Sequence, residues 1–474
     1  MMKSFFLFLS ILTGYAGYSQ PGYEINVTVK PFTSGYLYLA HYYGNKQMLV
    51  DSAAINQQHK AVFKGATSLK GGIYMIAWPK KDGYFEIIID KEQRFSITAD
   101  SADVLATLNM TGSSDNDRFY SYLKFAQQYG KEMQELQEKW KASITKKDSA
   151  ATEIELRKKA DELTQFRETF IQKNPTHLLS SVFRVFREPA ISEKITDPAA
   201  RNFYYRSLYW DSVDLTDERL IRTPVFQAKL DKYFDEIVPP AADTLKMEVD
   251  EVLFRTRANE EMRKYVLLHL TDKYINPKYM GQDAVFVHMF NKYFIPGEAD
   301  QWLNESTRKF VFDRGYSLML NVIGEKAADM VMADITGKTR SLYSIQSPYT
   351  IVCFWDPTCG HCQTEVPKLD SLYQKKWKAK GVKIFGVKTD GPNDKWTEFI
   401  QKYNLNDWTH VYQTPAMKEA EQKSGQPGFR QKYDVYQTPI LYLLDKDKKI
   451  IAKKLNYEQL DEFLGHRFDA DKKN

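Results

Sequence analysis

An unbroken apolar run, Thr350-Ile351-Val352-Cys353-Phe354-Trp355, leads through a short turn into Cys359-Gly360-His361-Cys362. Beyond it Val366, Leu369, Leu372 and Tyr373 recur at helical spacing. A short run that is apolar throughout reads as a buried strand, and the spacing after it predicts a helix over Glu365 to Tyr373. Cys359 is thereby expected at a strand-to-helix turn. The unpaired backbone N–H groups and positive dipole end of the helix favour a thiolate there. A thiolate is the attacking species in thiol–disulfide exchange, so the motif points to redox chemistry.

Other uses of two cysteines fit less well. A zinc site needs a second ligand pair, and His361 lies inside the loop, where it cannot easily complete a tetrahedron. Haem attachment needs histidine after the second cysteine, and position 363 is Gln363. A peroxidatic Pro-x-x-x-Thr-x-x-Cys pattern is missing too: Cys359 has Asp356 and Val352 at those places, and Cys353 has Thr350 but Gln346.

The 474 residues are 43% hydrophobic and 14% aromatic, enough for two or three domains with their own cores. A net charge of +5 is spread through mixed-sign sequence such as Glu132 to Lys147, the pattern of a solvated helix face, so no nucleic-acid partner is expected. Lys3, the apolar stretch Phe5 to Leu12 and the small residues Gly14, Ala16, Gly17 and Ser19 resemble a cleaved secretory signal, giving residues 1–20 as a signal peptide. The apolar stretch is shorter than the ~20 residues of a spanning helix, so no stable membrane insertion is expected. Three cysteines are too few for a disulfide-stapled scaffold. One reactive pair on a large core is the expectation.

Residues 21–112 read as a β-sandwich-like domain. Tyr23 to Lys30 alternates, and Gly35 to Ala40, Gly72 to Ala77 and Tyr84 to Ile89 repeat the style between Gly, Asp and Asn. His41 and His59 are lone histidines with packing or surface roles. Residues 113–323 read as an α-helical domain, with Ser114-Asp115 capping one helix and Ser149 to Lys173 forming another. Trp210 to Leu215 reads as a connector whose acids cap helices. His177, His269 and His288 lack the spacing of metal ligands, and no metal site is expected. Residues 324–474 alternate strand and helix. Gly381 to Val387 is a strand, Asp394 to Tyr403 a helix, Ile440 to Leu444 and Lys449 to Lys454 a hairpin, and Tyr457 to Leu464 a final helix.

From Gly324 to Phe463 the motifs resemble the bacterial envelope thioredoxin-like thiol–disulfide oxidoreductases, the periplasmic thioredoxin-like reductase family. Asp334-Ile335-Thr336-Gly337-Lys338 looks like that family's opening hairpin, and Thr438-Pro439 stands directly before the strand Ile440 to Leu444. The resemblance implies a thioredoxin fold for the C-terminal α/β domain. It implies a cis Pro439 facing the cysteines, with the backbone of Thr438 offered to an extended client. Pro367 matches the family's helix kink. Glu365, three residues past Cys362, is implied as a proton acceptor. The buried aspartate of thioredoxin itself corresponds to Cys353, read as an inert core thiol. Thr414-Pro415 repeats the wording of the second signature but precedes helix-like sequence instead of a strand.

Position assigns Cys359 as nucleophile and Cys362 as resolving thiol. Trp355, Pro357, Gly360 and His361 make their surroundings, with Trp355 expected to cover one side and a His361 imidazolium to favour the Cys359 thiolate. The expected activity is disulfide exchange with client proteins, as reductase or isomerase, in the periplasm or cell envelope. It needs an upstream thiol electron donor or acceptor and no dissociable cofactor beyond the Cys359–Cys362 disulfide. The alternative is an envelope binding or scaffold protein whose cysteine pair is structural.

Overall fold

A computed structural model describes residues 22–142 and 146–472. The expected signal peptide lies outside the described residues. The chain divides into two compact units: Met1–Ile237 with Arg255–Met262, and Val238–Phe254 with Arg263–Asn474.

The first unit opens with eight strands: β1 Tyr23–Lys30, β2 Tyr36–Tyr43, β3 Lys46–Ala54, β4 Lys60–Gly65, β5 Gly72–Ala77, β6 Tyr84–Ile89, β7 Arg94–Asp100 and β8 Asn109–Thr111. They form two four-stranded sheets, β4-β1-β7-β8 and β3-β2-β5-β6. Alternation along β1 turns Tyr23, Ile25, Val27 and Val29 inward, where they join Leu37, Leu39, Ile76 and Ile87 of the other sheet in one core. All pairings are antiparallel except β1 with β7.

Two long helices follow, Ser114–Lys141 and Lys146–Lys173, with Phe125 stacked on Phe166 at 4.1 Å. The cap of the first is Ser113, one residue before the expected Ser114-Asp115. Buried Asn116 then ties this helix to the edge strand β6: its Oδ1 accepts from the Ile88 N–H at 2.8 Å, and its Nδ2 donates to the Ile88 carbonyl at 2.8 Å. Acids of the Trp210 to Leu215 connector have structural tasks. Asp214 accepts from the Thr216 N–H, and Asp211 pairs with Arg255.

The second unit carries a seven-stranded sheet: β9 Val331–Asp334, β10 Thr339–Ser341, β11 Tyr349–Trp355, β12 Lys383–Lys388, β13 Thr409–Tyr412, β14 Ile440–Asp445 and β15 Ile450–Lys453. The spatial order is β10-β9-β13-β12-β11-β14-β15, with β12 parallel to β11 and β13 and the remaining pairs antiparallel. Strand β13 was not anticipated from sequence; its four residues are too few to show a period. All seven residues of β11 are buried, because helices and loops cover both faces. Ile351, Cys353 and Trp355 face one apolar cluster, and Val352 and Phe354 face the other. This is the thioredoxin-like arrangement.

The free edge of β15 is covered. Gly324 donates to the Ile450 carbonyl, Ile450 donates to Glu325, and the Lys453 N–H meets the Met280 sulfur at 3.4 Å.

Candidate active site

The cysteine pair sits where β11 ends. Asp356 closes the turn, its Oδ1 accepting from the Thr358 N–H and hydroxyl at 2.7 Å each. Cys359 then takes an extended conformation (φ −76°, ψ 123°) as the N-cap of the helix Gly360–Leu372. That helix begins five residues before the predicted Glu365, so Cys362 lies in its first turn. The early start follows from local bonding: Gln363 N–H donates to the Cys359 carbonyl at 3.0 Å, and its side chain donates to the Pro357 carbonyl at 3.0 Å.

Register brings the second signature to the same place. Phe354 of β11 lies opposite Ile440 of β14, so the residues after Trp355 and those before Ile440 emerge at one end of the sheet. The Thr438–Pro439 bond is cis. Cys359 Sγ donates to the Thr438 carbonyl at 3.5 Å.

The two thiols meet opposite surroundings. Burial pushes Cys362 up to about 12, only partly offset by the Asp356 N–H, which reaches its sulfur at 3.5 Å. Burial also acts to raise Cys359, but the backbone N–H of Cys362, hydrogen bonds from the side chains of Thr438 and Cys362, and the His361 N–H outweigh it and hold this thiol below its ordinary value. His361 thus supports the Cys359 thiolate through its main chain, while its ring is exposed. Cys353 is wholly buried on the strand beneath, its thiol raised well above the usual range by burial and by the nearby Cys362 and Glu365.

Glu365 is half-buried and lines a groove of about 270 Å³ with His361, Thr438, Pro439, Lys454 and Leu455. Among the described residues no hydrogen bond joins Glu365 to either cysteine of the pair. Trp355 is buried in the same apolar cluster as both cysteines, with its ring against Phe399 at 5.1 Å and His410 at 6.1 Å. A Cβ built at Gly360 would meet nothing within 4 Å, so packing does not dictate glycine there. Pro357 is buried.

Sequence reasoning missed the supports around the turn. Gly391, at φ +79°, presses so closely on it that a Cβ would lie 2.8 Å from Asp356 Oδ1. Thr389 donates its N–H to the Trp355 carbonyl at 2.9 Å. Asp390-Gly391-Pro392 is a turn signal that could have flagged the loop, though not its neighbour. Lys454 and Leu455, on the far wall of the groove, carry no sequence signal.

These residues can perform one reaction class. An accessible sulfur inclined to the thiolate lies three residues before a buried thiol that can displace whatever the first has captured.

Comparison with known proteins accords with that chemistry. A model of the AhpC/TSA family matches residues 323–453, and two domains of unknown function, DUF4369 and DUF5106, match 23–119 and 132–320. Thiol-disulfide oxidoreductase ResA of Bacillus thuringiensis subsp. konkukian is 30% identical over 145 residues, 30% of this chain and 76% of that protein. Among solved structures, a thioredoxin-like protein from Bacteroides caccae is 22% identical, covering 59% of this chain and 97% of that one with a TM-score of 0.46. A domain of a possible thiol-disulfide isomerase from Cytophaga hutchinsonii is 38% identical, covering 32% of this chain and 97% of that one with a TM-score of 0.28.

Proposed function

The chain belongs to the thioredoxin-like thiol–disulfide oxidoreductases, the family of its ResA relative, and from that premise we propose that it exchanges disulfides with client proteins in the cell envelope, as reductase or isomerase. The observation that carries this reading is the meeting of Cys359 Sγ and the carbonyl of Thr438, a residue of the groove wall, 3.5 Å apart. An extended client docked on the Thr438 backbone would present its disulfide to that sulfur.

In the reductive direction the Cys359 thiolate attacks one client sulfur, the client S–S bond breaks, and the departing client thiolate takes a proton. Cys362 then gives its proton to Glu365 or water and attacks Cys359 Sγ, releasing the second client thiol. Client and pair have exchanged two electrons, and an upstream thiol donor restores the reduced pair. Isomerisation uses the first step and its reversal on a different client cysteine. Glu365 is assigned as proton acceptor because it lies in the groove one helical step beyond Cys362, while Cys353 supplies no acid beneath the pair.

The division at residues 112 and 323 into β-rich, helical and thioredoxin-like segments belongs to this proposal and is supported by the limits of the three matching family models. So does export, motivated by the N-terminal sequence and tested by cell fractionation: recovery of the mature chain only in the cytoplasm overturns it.

The deciding experiment equilibrates the purified protein in glutathione buffers and traps free thiols. A potential near ~−180 mV supports isomerisation and one near ~−270 mV a reductase. A pair still oxidised below about −300 mV is structural, and the exchange reading fails.

A further inference from the structure

Strand β15 ends at Lys453, and the lysine after it, Lys454, goes a separate way. Lys454 has φ +58°, in the left-handed region, where the extended strand stops. Lys453 turns inward, its Nζ bonded to Asp283 and to the Asn321 carbonyl at 2.6 Å and Oδ1 at 2.8 Å. Lys454 turns to the fully buried carboxylate of Asp434, which also takes Arg314. Arg314 in turn donates to the Ile275 carbonyl and to Asn276 Oδ1.

These bonds hold the Asn276 to Asp283 segment against the thioredoxin-like sheet and leave a second pocket of about 440 Å³, walled by Lys278, Tyr279, Met280, Arg314 and Lys453. It shares Lys454 and Leu455 with the groove at Thr438 and Pro439. The two cavities therefore adjoin at Lys454 and Leu455 and together make a two-part channel that starts beside Thr438 and Pro439.

The charges along the channel are uneven. Glu365 lies at the cysteine end, near His361. Lys454, common to both cavities, is held by Asp434, and the second cavity adds Lys278, Arg314 and Lys453, of which Arg314 pairs with Asp434 and Lys453 with Asp283. Among the described residues no carboxylate pairs with Lys278, which is exposed beside Tyr279, its Nζ 5.3 Å from the ring centroid. Tyr279 is 56% exposed. An acidic side chain would be repelled by Glu365 and attracted by Lys278, so selection depends on its distance from the reacting cysteine.

Resting on the exchange reading above, we propose that the channel is an extended client-binding site, in which Lys278 and Tyr279 of the helical region select an acidic side chain a few residues from the client cysteine. The occupant is an extended protein segment. It advances about 3.3 Å per residue, so a series reaching eight residues from the cysteine samples a reach of about 26 Å.

The test uses the full chain and synthetic peptides whose single cysteine is held as a mixed disulfide with 2-mercaptoethanol. A lone glutamate or lysine is placed two to eight residues away on either side. At one spacing the glutamate peptide is expected to be reduced roughly tenfold faster than the lysine peptide at low salt, with the gap shrinking as salt rises. K278E should reverse that preference and K278R preserve it. Equal rates for both peptides at every spacing, or a preference untouched in K278E, overturn the proposal. Hydroxyethyl disulfide, too small to reach the second pocket, separates the two levels: if the wild-type protein fails to turn it over, the exchange reading itself falls.

Discussion

Cys359 and Cys362, the cap and the first turn of one helix, have their pKa values displaced in opposite directions, because one sulfur gathers N–H groups and the other is enclosed in the core. The reactive form of a thiol is deprotonated, so lowering its pKa enlarges the reactive fraction at a fixed pH and raising it shrinks that fraction. Alkylation of the reduced protein by iodoacetamide should therefore rise with pH with its midpoint below that of an ordinary cysteine, all at Cys359. Cys362, pushed up to about 12, should stay unmodified at pH 8 until the protein is denatured. Peptide mass mapping reads both outcomes, and labelling of Cys362 ahead of Cys359 would reverse their assigned roles. C362S should accumulate client mixed disulfides that C359S cannot form, as seen on a non-reducing gel. Glu365→Gln should slow release of the mixed disulfide about 10²-fold at pH 7, measured by quenched flow. An unchanged rate would assign the proton to water.

Two elements depend on single buried polar residues. Asn116 fastens the first long helix to β6 by satisfying both main-chain groups of Ile88. Asn116→Leu leaves those groups buried without partners and should cost about 1–3 kcal/mol, read from the urea midpoint of the first unit. Asp434 holds both Arg314 and Lys454 from a fully buried position. Removing it leaves a mostly buried guanidinium uncompensated, so Asp434→Ala should destabilise the second unit by roughly 3–5 kcal/mol in denaturant titration. A loss below about 1 kcal/mol would mean that the pair is solvated as a surface bridge is.

At the scale of the molecule, the thioredoxin-like sheet does not stand alone within its unit. Asp283, Asn321 and Met280 supply the partners of Lys453, and the 324–327 stretch closes the β15 edge. A fragment starting at residue 324 keeps the side chains proposed for catalysis but uncovers the Lys453 amine and part of that edge. It should unfold at lower urea than a fragment covering 238–474, by circular dichroism. Equal midpoints would make the helical residues dispensable to the fold.

The sequence by itself determined the chemistry and the character of each region. Cysteine spacing, the apolar strand before it and the Thr438-Pro439 signature are local patterns, and local patterns survive in a linear reading. Four of the eight N-terminal strands were visible for the same reason; β3, for example, is largely exposed and shows no inward alternation. The helix start at Gly360 escaped because Gly, His and Cys carry no periodic signal, and only Gln363 reaching back to Pro357 reveals it. Tertiary structure alone decided that Phe354 and Ile440 lie abreast, which sets Cys359 beside Thr438 across 79 residues of chain. It alone decided that Gly391 supports the Asp356 turn and that Lys454 and Lys278 line the channel. Register and long-range ion pairs are fixed by which faces become buried together, and that is a property of the folded chain.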